Sequence, residues 1–136
     1  MSDHNRKPSE QYPIKAQVAP QSMAAAATAT SGWVAISNNK WANIHAITGA
    51  GAGTLAVKVE QATTVGGAGA KDLATAAQVG ITALAASSAA DVDVDLTQYV
   101  DVDGGFGFIR ISATMTGGAG TFAAVGLCLG PDAFQA

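Results

Sequence analysis

Along most of this chain apolar and polar residues alternate with a period of two, and no stretch sustains the 3.6-residue apolar period of an amphipathic helix. The clearest run is FGFIRISATMTGGAGTFAAVGLCLG, residues 106–130. In its first half Ile109, Ile111, Ala113 and Met115 share one side, and Phe108, Arg110, Ser112 and Thr114 the other. In its second half Thr121, Ala123, Val125, Leu127 and Leu129 alternate with Phe122, Ala124, Gly126 and Cys128. Two such runs around a Gly-rich joint predict an antiparallel hairpin. Both sides of the second strand are nearly apolar, so it is expected in the centre of a sheet covered on both faces.

The same pattern continues upstream. WVAIS (33–37) and WANIHAIT (41–48) flank Asn38-Asn39-Lys40, a turn that Asn tolerates through its left-handed conformation, and they read as a second hairpin. LAVKVEQA (55–62) places Leu55, Val57 and Val59 inward, with Lys58 and Glu60 outward. A strand is expected around 78–84. DVDVDL (91–96) turns Val92, Val94 and Leu96 in and its aspartates out. Eight or nine short antiparallel strands separated by turn signals predict one all-β domain, a jelly-roll-like β-sandwich over residues 31–136. Residues 1–30 carry Pro8, Pro13 and Pro20 and read as an extended N-terminal arm, with a short strand where Ile14, Ala16 and Val18 alternate. The stretch MAAAATAT (23–30) is read as extended for the same reason as its surroundings.

Composition changes the picture in one respect. Only 12% of the residues are charged, against roughly a quarter in an average soluble domain. Such a surface suits a subunit covered in an assembly better than a monomer. The net charge of -3 is uneven: residues 1–23 sum to +1 (Arg6, Lys7 and Lys15 against Asp3 and Glu10), and the remainder to -4 (four cations against eight acids). No basic stripe interleaved with aromatics is present, so no nucleic-acid partner is expected. No apolar run is long enough to cross a membrane, and the N-terminal residues do not resemble a secretory signal. The chain is therefore expected to be made in a cytoplasm. Cys128 is the one cysteine, which leaves no disulfide within the chain.

Candidate chemistry is sparse. GAGAGT (49–54), GGAGA (66–70) and GGAGT (117–121) lack the lysine of a phosphate loop and the helix of a dinucleotide site, so they read as loop tips. The aspartates at 91, 93 and 95 fit no EF-hand spacing and read as a solvated strand face. If a calcium ion were bound, Asp101 and Asp103 beside Gly104 would be its ligands. No cofactor and no resident metal are expected. His45 stands alone on its strand, no nucleophile elbow is present, and no catalytic activity is expected. Trp33 and Trp41 flank one turn and are expected to pair across it, in a core or subunit contact or, if exposed, as a sugar-stacking platform.

With the strands in place, VKVEQATTVGGAGAKDL (57–73) followed by YVDVDGGFGFIRISATMTGGAGTFAAVGLCLGPDAF (99–134) resembles the small β-sandwich minor capsid and decoration (cement) proteins of tailed bacteriophages. The resemblance is one of sequence style over residues 33–134 and transfers no residue roles. It implies a structural protein on the exterior of the virion, often a trimer, that bridges capsomers and partners the major capsid protein. The arm is then expected to clamp a neighbouring chain, with subunit contacts from Ile14, Val18, Trp33, Trp41, Phe122 and Phe134. The alternative is a head-fibre, tail or receptor-binding virion module that contacts a host glycan.

Overall fold

The computed structural model describes residues 14–36, 39–73 and 80–130, and these form eleven strands and one helical turn. In chain order they are β1 (Ile14–Val18), β2 (Gln21–Met23), β3 (Thr28–Thr30), β4 (Val34–Ala35), β5 (Trp41–Gly51), β6 (Thr54–Ala62), β7 (Lys71–Asp72), β8 (Ile81–Leu84), β9 (Ala89–Asp95), α1 (Leu96–Tyr99), β10 (Phe108–Thr116) and β11 (Gly120–Leu129). All pairs are antiparallel. The first sheet runs β1–β11–β5–β9, with β2 beside the other end of β11. The second runs β3–β10–β6–β7, with β4 also on β10 and β8 also on β6. The protein is an all-β sandwich. The extra strands beyond the eight or nine expected are short pieces along the edges, too brief to leave a periodic signature.

Two expected hairpins are not hairpins. β10 lies in the second sheet and β11 in the first, so the Gly-rich joint between them arches from one layer to the other. The same holds for residues 33–48, because β4 pairs with β10 whereas β5 pairs with β11 and β9. Alternation marks a residue as belonging to a strand, but each strand has two edges and the pattern does not say which neighbour fills them. Trp33 and Trp41 therefore never face each other across a ladder.

The inner faces follow the alternation closely. Leu55, Val57, Val59, Ile109, Ile111, Ala113 and Met115 from the second sheet meet Ala42, Ile44, Ala46, Val125, Leu127 and Leu129 from the first, all buried. β11 is central, as its composition demands. It breaks its own alternation, though: the pairing with β5 slips on either side of Phe122, a bulge that brings Phe122 onto the inner face beside Thr48. Thr48 is buried there, and its hydroxyl is held by the carbonyls of Ala85 and Ser88 and by the Ser88 amide.

Residues 14–30, read as arm, are woven into both layers of the same chain. β1 and β2 add to β11, and β3 adds to β10. Val18, at 3% exposure, and Met23 are core residues. The first described residue of the sandwich is thus Ile14, not Ser31. Ser31 itself replaces a missing rung between β3 and β4: its Oγ accepts from the Ile111 amide at 3.1 Å, and its own amide donates to the Ile111 carbonyl at 3.0 Å.

Candidate interaction surfaces

The three glycine-rich loops turn out to serve packing. The amides of Ala52 and Gly53 both donate to the Ala119 carbonyl, at 2.9 and 3.0 Å, so the β5–β6 arch and the β10–β11 arch are stacked on each other. A Cβ on Gly51 would lie 2.4 Å from the Cα of Gly120, and one on Gly53 2.3 Å from the Gly118 carbonyl oxygen. Those two amides are consumed by a neighbouring loop rather than offered to an anion. In the third loop the hydroxyls of Thr63 and Thr64 bond the backbone of Ala68, and Gly67, at φ +89°, lies against the Trp33 indole.

The residues singled out in the sequence are dispersed. Trp33 sits outside the second sheet, half-buried, with the Arg110 guanidinium 4.5 Å from its ring centre. Arg110 is in turn held by Glu60, its cross-strand partner, at 2.9 Å. Trp41 sits outside the first sheet opposite Asp95, with Lys40 over its ring. The two tryptophans occupy opposite faces of the sandwich, so they neither pair across a turn nor form a shared sugar-stacking platform. Val18 and Phe122 are core residues and unavailable to a partner. Ile14 is 65% exposed. Phe134 lies outside the described residues.

Asp101 is engaged on both oxygens. Lys71 Nζ lies 2.9 Å from Oδ2, and the Gly104 amide donates to Oδ1 at 3.0 Å. The Lys71 contact, aided by the Gly104 amide, holds this carboxyl below its ordinary value. Its amide donates to the buried Gln61 side chain at 2.8 Å, which ties the 101–105 turn to β6. Asp103 is exposed and stands apart from those bonds. Among the described residues no three His, Cys, Asp or Glu side chains converge as a metal-binding set, and no helix is long and apolar enough to cross a membrane.

The outer face of the first sheet is the surface that sequence reasoning missed. Its outward positions are Cys128 and Gly126 on β11, Asn43, His45 and Ile47 on β5, and Asp91 and Asp93 on β9. The His45 imidazole lies over Gly126, where a Cβ would come within 2.4 Å of Nε2. This imidazole, not a second layer, covers the small outward side of β11. Burial pushes the Cys128 thiol up in pKa. Beside them a shallow depression of about 340 Å³ is lined by His45, Ile47, Ala89, Ala90 and Asp91. Ile47 is 46% exposed, so the face carries two bare isoleucines, Ile14 and Ile47, and an acidic border. Each strand's outward residues were readable from alternation, but their grouping on one face needed the strand order.

Comparison with protein-family models, with curated proteins and with solved structures gives no match for this chain.

Proposed function

We propose that this protein is a structural subunit that decorates the exterior of a bacteriophage capsid as a homo-oligomer, a trimer in the simplest case, with no catalytic role. The observation that supports it best is the outer face of the first sheet. That face carries exposed Ile14 and Ile47, with Cys128, Gly126, Asn43 and His45 between them and its charges at the two borders, Lys15 on β1 and Asp91 and Asp93 on β9. Exposed apolar patches rimmed by polar residues suit protein contacts. The low charge of the chain and the sequence style of residues 33–134 point the same way. Residues before Ile14 act as the attachment to the shell, and the sandwich makes the self-contact.

The test is sedimentation of a nuclease-treated native lysate through a density gradient, probing for this chain. Many copies per DNA-filled particle are expected. A few copies per particle would favour the fibre or tail module instead, and a chain that stays at the top of the gradient would overturn the virion assignment. The deletion that tests attachment stops at Pro13, because Ile14 begins β1. It is expected to abolish particle binding and to leave self-association intact.

A further inference from the structure

We infer that copies of this chain join head to tail, the β1 edge of one sandwich adding to the β9 edge of the next. The inference rests on the self-association in the proposal above and not on the particle. In the order β1–β11–β5–β9 every neighbouring pair is antiparallel, so strand directions alternate and the two outermost strands run in opposite senses. Among the described residues, neither β1 nor β9 has a backbone partner on its outward side. An unpaired edge offers its N–H and C=O groups to another strand. Opposite edge directions let a second copy continue the ladder as another antiparallel pair.

Charge selects among the possible joints. β9 carries Asp91 and Asp93, both exposed, and Asp91 makes no hydrogen bond or ion pair among the described residues. β1 carries exposed Lys15. Joining β9 to a second β9 would oppose aspartates, and joining β1 to a second β1 would oppose lysines. Of these three joints, β1 on β9 is the one that sets opposite charges across the new ladder, where such pairs stabilise and like charges destabilise. A contact between two different edges is heterologous, so it repeats from copy to copy and closes into a ring where the rotation per subunit permits.

The experiment is sedimentation velocity of the full chain over a concentration series. The wild-type chain is expected to associate, and both K15E and D91K/D93K to raise the dissociation constant at least about tenfold. An equimolar mixture of the two variants is expected to restore association, because each supplies the edge the other lacks. D91N/D93N, which removes charge without reversing it, is the second variant should the lysine pair disturb folding, and it is expected to weaken association in the same direction. A wild-type chain that is monomeric throughout, or aspartate variants that associate like wild type, would overturn the joint. A monomer that still sediments with particles would overturn the joint and leave decoration standing. An oligomer absent from particles would do the reverse.

Discussion

At the scale of single residues, this sandwich depends on positions where one atom more or less is decisive. Gly53 is the sharpest: a methyl group there meets the Gly118 carbonyl oxygen, which belongs to backbone and has no rotamer to yield. G53A is expected to lower stability by about 1–3 kcal/mol in urea unfolding. Ser31 is decisive for the opposite reason. Its Oγ satisfies the Ile111 amide where β3 and β4 leave a gap, so S31A should cost about 1–3 kcal/mol, the cost of a buried donor left unpaired. Two aspartates contribute to the acid dependence of stability. The Thr97 hydroxyl bond, joined by Lys40 and the Thr97 amide, lowers the Asp95 pKa below 3.8, and Lys71 with the Gly104 amide does the same for Asp101. A carboxyl whose folded pKa is depressed adds stability above its unfolded value, and that stability is lost as pH falls through the folded pKa. Part of the thermal stability should therefore be lost below about pH 4, and D95N/D101N should reduce that loss. A double variant that keeps the full acid dependence would remove these two residues as its source.

At the scale of elements, the informative cases are strands whose identity was legible and whose neighbours were not. Residues 108–116 and 120–129 alternate so clearly that both strands could be drawn from sequence. Their glycine joint looks the same whether it folds back within a sheet or arches between sheets. The arch is chosen because the β5–β6 joint arches at the same end, and the two loops share the Ala119 carbonyl. Phe122 shows the complementary limit: strict alternation placed it opposite Val125, and one bulge put both on the inner face. Residues 14–30 were legible as extended, yet their partners, β11 and β10, lie at the far end of the chain. Because Val18 is buried against that distant strand, removing residues 1–18 should cost at least about 2 kcal/mol, read as a shifted denaturation midpoint. An unshifted midpoint would mean that β1 contributes nothing to the fold.

At the scale of the whole molecule, the buried apolar side chains among the described residues form one core shared by the two sheets. Trp33 reports on the second sheet and Trp41 on the first. Within each single-tryptophan variant, W41F and W33F, the fluorescence midpoint is expected to coincide with the midpoint from far-UV circular dichroism, as two-state behaviour requires. Separated midpoints would show that one sheet survives the other. The candidate surfaces follow the same division. The loop-tip reading of the glycines and the outward row of β9 aspartates were readable locally, since each depends on a few consecutive residues. The outer face of the first sheet was not, because it is assembled from β1, β5, β9 and β11.

By itself the sequence determined the all-β class, most of the strands and which side chains of each face inward, because a period of two is a property of the chain alone and burial must follow it. Only the tertiary structure decided which strands are neighbours, where the glycine joints cross between layers, and that residues 14–30 belong to the sandwich. Those choices turn on contacts between residues far apart in sequence, made possible by two facing layers that no local pattern encodes.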